Sequence, residues 1–222
     1  MTDIATLPPL EIRGHTPSVG ANADHPMRIM TRRAAGLQGG AWDKGAAETV
    51  RGVFDSLADE WHTRESPERL AVVNDALERG ADPLIDPSAA RSGVAAEIGS
   101  GLGTYSGAIS ARFGSTLAVE LSEEMQRLAH PSAATRILAD GSMLPVIDGS
   151  LLGVVLINCF LFPQEIDRVL APGGVLLWVN SSGERTPIHL STDDVLAALP
   201  FETTGTQSRA GVGTWCALKR LA

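Results

Sequence analysis

The sequence predicts an α/β fold built on a mostly parallel sheet with helices on both faces. From about residue 93 onward, short apolar segments alternate with stretches of helical periodicity, as in chains made of strand–helix–strand units. The first of these segments, 93–98, is followed at once by three alternating glycines, Gly99, Gly101 and Gly103. Glycines there let the backbone turn sharply from a strand into a helix and approach a ligand closely.

Two regions precede the predicted sheet. Residues 1–45 are rich in Pro, Gly and Ala and lack periodicity, so we expect an irregular or flexible N-terminal arm. Apolar residues then recur at helical spacing from Val50 to Trp61, which predicts a helix over about 47–62.

A second helix is predicted just before the sheet. Ser66 is placed to cap it, and Pro67 suits its first turn. Gly80 is a typical residue at which such a helix ends. The stretch 82–92 is predicted to be a loop.

The alternating part of the chain predicts a sheet of seven strands. Five strands are expected at about 93–98, 116–120, 136–139, 152–158 and 174–180, with helices at about 103–113, 122–129, 163–171 and 191–199. The crossover 141–151 has the character of a loop. Two last strands, about 201–208 and 212–220, flank Ala210-Gly211 and predict an antiparallel hairpin.

Composition limits the classes of function. The chain has 222 residues, 44% of them hydrophobic and 20% charged, which suits one domain with a modest appendage. Its formal net charge is −8, and nucleic-acid binders usually present a basic surface. We therefore do not expect a nucleic-acid partner.

The cysteines and the apolar runs indicate the cellular compartment. Cys159 and Cys216 lie far apart, which predicts neither a disulfide framework nor a metal site. The start of the chain lacks the basic-then-apolar pattern of a signal peptide. The longest apolar run, Leu151–Phe162, is too short to span a bilayer. We expect a cytoplasmic protein without membrane association.

Acidic residues close the first three predicted strands. Glu97 stands two residues before the first glycine, Glu120 ends the second strand, and Asp140 follows the third. The carboxyl ends of parallel strands meet at one edge of a sheet. These three carboxylates and the glycines therefore predict one site, suited to a ligand with an adenosine end.

On these residues the chain resembles the class I S-adenosylmethionine-dependent methyltransferases. The matching pieces are Glu97–Gly103, Ala118–Met125, Ala139–Ser142 and Arg168–Gly174, in the family's order. The resemblance covers roughly Val50 to Arg220 and implies a Rossmann-like, doubly wound sheet that ends in an antiparallel pair. It also implies S-adenosylmethionine as the methyl donor and S-adenosylhomocysteine as the product. One departure is Gly153, where the family often has an acid.

The resemblance assigns the glycines to the methionine part of the cofactor. Gly99, Gly101 and Gly103, with Ser100 between them, would approach it through their backbone, close to a helix N-terminus. Glu97 would face the amino end of that ligand, directly or through water. The alternatives are a tight turn without a ligand and a structural acid that holds the loop by hydrogen bonds.

The next two strand ends are assigned to the nucleoside. Glu120 has two acceptor oxygens, which suit the two ribose hydroxyls, and Leu121 beside it belongs to the same site. Asp140 would bind the adenine amino group, assisted by Gly141 and Ser142. The alternatives are a solvated acid at a strand end and a turn-forming Asp-Gly pair.

Three further residues are candidates with open roles. Asn158 ends the fourth strand, where methyl donor and acceptor meet in this family; it is a cofactor and catalytic candidate, or it only satisfies backbone groups. Trp61 either folds over the cofactor or packs in the core. His189 is the other catalytic candidate, or it is structural.

The acceptor is expected to be a small molecule. The Asn158-Cys159-Phe160-Leu161 sequence lacks the Asn-Pro-Pro-aromatic pattern of enzymes that modify bases or glutamine. Residues 46–222 would form the methyltransferase domain, with a helical lid region at 46–80. The alternatives are an RNA or protein methyltransferase, and a protein that binds the cofactor or its product without catalysis.

Overall fold

The computed structural model describes residues 3–16 and 22–221, and within them the strands form a single eight-stranded sheet. The strands are β1 (Asp3–Thr6), β2 (Val94–Ile98), β3 (Ser115–Glu120), β4 (Thr135–Leu138), β5 (Leu151–Ile157), β6 (Leu170–Asn180), β7 (Thr203–Ala210) and β8 (Gly213–Arg220). Their order across the sheet is β1-β7-β8-β6-β5-β2-β3-β4. Only β8 pairs antiparallel, with β6 and β7; the other pairs are parallel.

Helices cover both faces of this sheet. The α-helices are α1 (Pro26–Ala34), α2 (Lys44–Leu57), α3 (Pro67–Asp75), α4 (Pro87–Ser92), α5 (Ser106–Ser110), α6 (Glu123–Arg127), α7 (Pro163–Val169) and α8 (Thr192–Ala198). Three 3₁₀ segments, Ala58–Arg64, Asp82–Leu84 and Gly183–Arg185, and one π-helical segment, Ala76–Ala81, extend or connect them. The predicted α/β class, mostly parallel sheet and C-terminal hairpin are confirmed.

The sheet has eight strands where seven were predicted, because β1 lies in the N-terminal segment that we expected to be an irregular arm. The prediction that residues 1–45 are irregular is wrong for 3–6 and 26–34. β1 pairs in parallel with β7, where Asp3 lies opposite Thr204. Residues 1–2 and 17–21 of that prediction lie outside the described residues. An edge strand of four residues carries too few apolar positions for periodicity to reveal it.

The prediction of a loop over 82–92 is also wrong in part. Asp86 accepts hydrogen bonds from the backbone N–H groups of Ser88 and Ala89, and Pro87 occupies the first turn of α4. An acidic cap followed by proline is a recognised signal for a helix start. The predicted first helix is confirmed as α2, which ends at Leu57 and continues as the 3₁₀ segment.

The topology creates a crevice at one edge of the sheet. β2 pairs with β3 on one side and with β5 on the other, so the loops that follow β2 and β5 diverge. In open α/β sheets ligands bind at such a switch point, outside the carboxyl ends of the strands. The glycines and the strand-end acids all lie at this edge.

Candidate active site

The loop after β2, residues 99–103, adopts a conformation that requires glycine. Gly99, Gly101 and Gly103 have φ angles of 70°, 53° and 81°, in the left-handed region that side chains disfavour. The amides of Gly99 and Ser100 both donate to the carbonyl of Val119, at 2.9 and 3.0 Å, and this fixes the loop to β3. A Cβ atom on Gly99 would collide with the Cys159 sulfur. We call residues 99–103 the glycine loop.

Glu120 connects the glycine loop to the end of β3. One carboxylate oxygen accepts from the Gly101 amide at 2.7 Å and the other from the Ser122 amide at 2.8 Å. Burial raises the pKa of this carboxyl, and the backbone hydrogen bonds oppose that rise. The backbone amides of Gly101, Leu121 and Ser122 act on a carboxylate that has about four lone-pair sites, so a ligand hydroxyl can still donate to it.

Glu97 lies behind the glycine loop in the core. Its side chain is 2% exposed and accepts a hydrogen bond from the Ser106 hydroxyl of α5. Burial raises the pKa of Glu97 to about 7, although Ser106 and Arg136 act in the opposite direction. This carboxyl therefore gains or loses its proton near neutral pH.

Asp140 follows β4 and is bound to a tryptophan from far away in the chain. The indole Nε1 of Trp42 donates to its two oxygens at 3.2 and 3.0 Å, and the Ser142 amide donates to Oδ1 at 2.8 Å. The Trp42 ring packs between Phe160 and Phe162, with centroid distances of 5.1 and 5.0 Å. The backbone before α2 thus reaches across to the end of β4.

Asn158, directly after β5, has the only positive φ of a non-glycine residue in the described ranges, at 49°. Its side chain exchanges two hydrogen bonds with Ser181: Nδ2 donates to Oγ and Oδ1 accepts from the backbone amide, both at 2.8 Å. These bonds join the loops after β5 and β6. They also offset the strain of a left-handed residue, which costs about 1–3 kcal/mol.

A cavity with about 990 Å³ of free space, including its open mouth, joins these groups. Nine of the residues predicted from sequence line it: Trp61, Gly99, Ser100, Gly101, Glu120, Leu121, Asp140, Gly141 and Asn158. Glu97, Gly103 and Ser142 are not among the lining residues. Of these, Glu97 lies in the core, and Ser142 contacts Asp140 through its backbone.

Comparison with known proteins agrees with this geometry. Residues 96–178 match the model of a family described as a methyltransferase domain. The matched residues run from β2 into β6 and include the glycine loop, Glu120 and Asp140. No curated protein sequence matches this chain.

Solved structures share the fold of this chain. The DhpI–SAH complex superposes with a TM-score of 0.61 at 18% identity, over 82% of this chain and 99% of that one. A SAM-dependent methyltransferase from Thermotoga maritima gives 0.55 at 17% identity, over 76% and 99%. A type II methyltransferase from Anaeromyxobacter dehalogenans is 26% identical, with a TM-score of 0.37. That match covers only 39% of this chain and 40% of the other protein.

His189 lies on a second cavity of the protein. That cavity is also lined by Asn180, Glu184 and Arg209, and His189 is not among the residues that line the first cavity. Burial lowers the pKa of His189, and the nearby Arg28 guanidinium lowers it further. The structure thus does not bring His189 together with the glycine loop.

Several residues that line the main cavity carried no signal in the sequence. They are Trp42, Phe54, Arg64, Glu65, Arg69 and Tyr105. We call residues 42–65 the cover segment, because its side chains form the wall of the cavity opposite the strand ends. Within it the Phe54 and Trp61 rings pack edge to face at 5.4 Å, and the Arg64 guanidinium lies 4.4 Å from the Trp61 ring.

The cover segment is fastened to the strand edge by polar contacts. Glu65 accepts from the Thr104 hydroxyl at 2.6 Å and pairs with the His130 ring at 2.9 Å. Asp55 accepts from the Ser122 hydroxyl at 2.5 Å. An acidic residue says nothing by itself about a partner so distant in sequence, so these contacts could not be predicted.

The donor set fits S-adenosylmethionine. The hydroxyl of Ser100 is buried on the cavity without a hydrogen-bond partner among the described residues, and Glu120 can accept a further hydrogen bond. In residues 3–16 and 22–221 no cluster of three or more His, Cys, Asp or Glu could hold a metal ion. No helix in the same ranges is long and apolar enough to cross a bilayer.

Proposed function

We propose that this chain transfers a methyl group from S-adenosylmethionine to a small-molecule acceptor enclosed under the cover segment. One observation carries the proposal: the glycine loop, Glu120, Asp140 and Asn158 line a single cavity at the carboxyl edge of the sheet. A nucleoside with an amino-acid tail needs backbone groups for its tail and carboxylates for its ribose and base. The cavity offers both, together with the amide of Asn158. A cytoplasmic location remains a prediction.

The lining supports one orientation of the cofactor. The backbone of the glycine loop would hold the methionine part, because no Cβ keeps the ligand away at Gly101. Glu120 would accept from the ribose hydroxyls, and Asp140 from the adenine amino group. The donors that both carboxylates already bind, backbone amides and the Trp42 indole, hold their oxygens in place.

Two guanidinium groups favour the same orientation. Arg64 and Arg69 line the cavity, and Arg69 acts electrostatically on Tyr105, which follows the glycine loop. Within the described residues neither arginine has a carboxylate within 4.0 Å. The α-carboxylate of the methionine part would supply a partner for them.

The bound cofactor supplies an electrophilic methyl group on a sulfonium. The residues of this chain would contribute position and the exclusion of water. Alignment of donor and acceptor accounts for about 7–11 kcal/mol at best. The aromatic wall of the cover segment would keep water from the reacting atoms. We assign no general base: the Asn158 side chain is engaged with Ser181, and His189 lines the other cavity.

The lining of the cavity favours a small acceptor. Trp42, Phe54, Phe160 and Phe162 supply an apolar wall. One protein of similar fold is described in complex with SAH, which agrees with the proposed cofactor.

Calorimetry and turnover test the proposal. S-adenosylhomocysteine should bind at micromolar strength and raise the melting temperature, because it binds only the native state. Methyl-labelled S-adenosylmethionine should then label members of a small-molecule acceptor panel, with products identified by mass.

Three results would count against the proposal. Binding of NAD with no binding of either form of the cofactor would overturn it. Label found only in RNA or protein would support a macromolecular acceptor. Tight binding without turnover on small molecules, RNA or protein would support a non-catalytic binding protein.

A further inference from the structure

Arg136, on β4, lies beneath the glycine loop. Its Nη2 donates to the Gly101 carbonyl at 2.8 Å, and its Nε donates to the side-chain oxygen of Gln126 on α6 at 2.5 Å. The residue is half-buried and does not line the cavity. Its guanidinium thus contacts the back of the loop whose front faces the cavity.

Both backbone groups of Gly101 are held by side chains of opposite charge. The amide donates to Glu120 from β3, at 2.7 Å, and the carbonyl accepts from Arg136 of β4. Gly101 has a φ of 53°, and glycine has the largest conformational freedom of any residue. Two charge-assisted hydrogen bonds restrict that freedom at the residue whose missing side chain opens the loop toward the cavity.

Arg136 also accounts for the third glycine. A Cβ atom on Gly103 would lie 2.8 Å from Nη1 of Arg136, closer than real Cβ contacts allow. That Nη1 is buried and lacks a hydrogen-bond partner among the described residues. Gly103 does not line the cavity; its φ of 81° favours glycine, and the missing Cβ also leaves room for the guanidinium.

The charge of Arg136 acts on the acids around the loop. Burial raises the pKa values of Glu97 and Glu120, and Arg136 opposes the rise at both. The other titratable groups that interact with these acids are Tyr105, after the glycine loop, and the Cys159 thiol, after β5; Glu97 and Glu120 also act on each other. Arg136 is the one cation among them.

We propose that Arg136 is a positioning residue that holds the glycine loop in its ligand-binding conformation through Gly101 and Gly103. This inference rests on the proposed function, since the ligand is the cofactor. It adds a requirement that the glycine motif alone does not contain: a guanidinium on the strand two positions away in the sheet.

Two substitutions separate the hydrogen bonds of Arg136 from its charge. Arg136→Gln removes the charge and should weaken S-adenosylhomocysteine binding about 10–30-fold, as expected for a charged hydrogen bond and the loop order it supports. Arg136→Lys keeps the charge but lacks the planar fork, so its affinity should fall about 3–10-fold. Arg127→Gln, on the neighbouring α6 and paired with Glu124 at the surface, is the matched control and should bind as the parent does.

Two readouts distinguish positioning from general destabilisation. In the ligand-free protein, amide hydrogen exchange at Gly101 and Gly103 should accelerate in both Arg136 variants, and the central strands should keep their protection. The pKa of Glu120 rises when the cation is lost, so binding by Arg136→Gln should fail at a higher pH on acidification. Arg136→Lys should restore the parental pH profile.

Each outcome decides between the two claims. Unchanged exchange at Gly101 and Gly103, or affinity of Arg136→Gln within twofold of the parent, overturns the role of Arg136. If the parent protein binds no cofactor, the proposed function fails, and the exchange measurement still tests whether Arg136 orders the loop. If Arg136→Gln does not fold, Arg136→Lys carries the same exchange and affinity tests.

Discussion

The two walls of the main cavity are built in opposite ways. The strand wall, made of the glycine loop, Glu120 and Asp140, is polar, and hydrogen bonds to neighbouring strands and turns hold it. The cover segment presents aromatic rings, and polar contacts such as Trp42–Asp140, Asp55–Ser122 and Glu65–Thr104 attach it to the sheet edge. These contacts end on, or directly beside, the groups that would bind the cofactor. Cofactor binding and closure of the cover segment should therefore be coupled.

The largest expected effect comes from the strand wall. Gly101→Val places a β-branched side chain at a φ of 53°. The loop should relieve this strain by leaving its ligand-binding conformation, so S-adenosylhomocysteine binding should weaken by about 100-fold or more, about 3 kcal/mol. Calorimetry measures this. Gly107→Ala, a helical glycine with open space around it, is the control. Parental affinity in Gly101→Val would place the site elsewhere.

A carboxylate deletion tests the same wall without backbone strain. Glu120→Ala should weaken S-adenosylhomocysteine binding by about 1.5–3 kcal/mol, because hydrogen bonds to a charged group are lost. The exposed Glu123→Ala on α6 should leave the affinity unchanged. Equal affinities for the two variants in a titration would show that Glu120 is only a structural acid.

Glu97 gives the strand wall a pH dependence. Its folded pKa of about 7 exceeds the ordinary 4.5, so its contribution to stability is complete below about pH 4.5 and is lost as the pH rises through 7. Glu97→Gln should therefore reduce the loss of stability between pH 5 and 8 by about 2 kcal/mol, or about 4–8 °C in melting temperature. Thermal unfolding at both pH values checks this, and identical pH profiles would contradict it.

Arg69, on α3 just after the cover segment, allows a test of the proposed contact with the methionine part. Arg69→Ala should weaken S-adenosylhomocysteine binding about tenfold if the guanidinium pairs with the α-carboxylate. It should leave the affinity for 5′-methylthioadenosine, which has no carboxylate, unchanged. Paired titrations with the two ligands measure the difference. An equal loss for both ligands would mean that Arg69 supports the cavity without touching that carboxylate.

The smallest expected effect is the coupling free energy between the cover segment and the strand wall. Trp42→Phe keeps the aromatic packing but removes the indole donor to Asp140, and Asp140→Asn weakens the acceptor. If the hydrogen bond holds the walls together, the two changes should be non-additive by about 1 kcal/mol in unfolding free energy. A double-mutant cycle in denaturant supplies the number. Strict additivity would mean that this hydrogen bond does not couple the cover segment to the strand wall.

The difference between the walls also explains what the sequence could predict. The strand wall is local: an apolar strand, glycines and a following acid stand together in the chain, and the parallel sheet brings such ends to one edge. Trp42 is 98 positions from Asp140, and no periodicity reports a contact of that range. Roles of the individual site residues stay predictions, Trp61 and Asn158 included. The hydrogen bonds between the Asn158 side chain and Ser181 join two loops that become neighbours only once the sheet has folded.

The pairing of β1 with β7 has a consequence for the order of assembly during synthesis. Asp3 leaves the ribosome 201 residues before its partner Thr204. At about 5–20 residues per second, the first strand waits for roughly 10–40 s with its backbone unpaired. Its partner β7 forms a hairpin with β8 from the last part of the chain, so β1 can dock only after the rest of the sheet exists. A fusion partner placed before Asp3 would therefore interfere with the last step of folding rather than with its beginning.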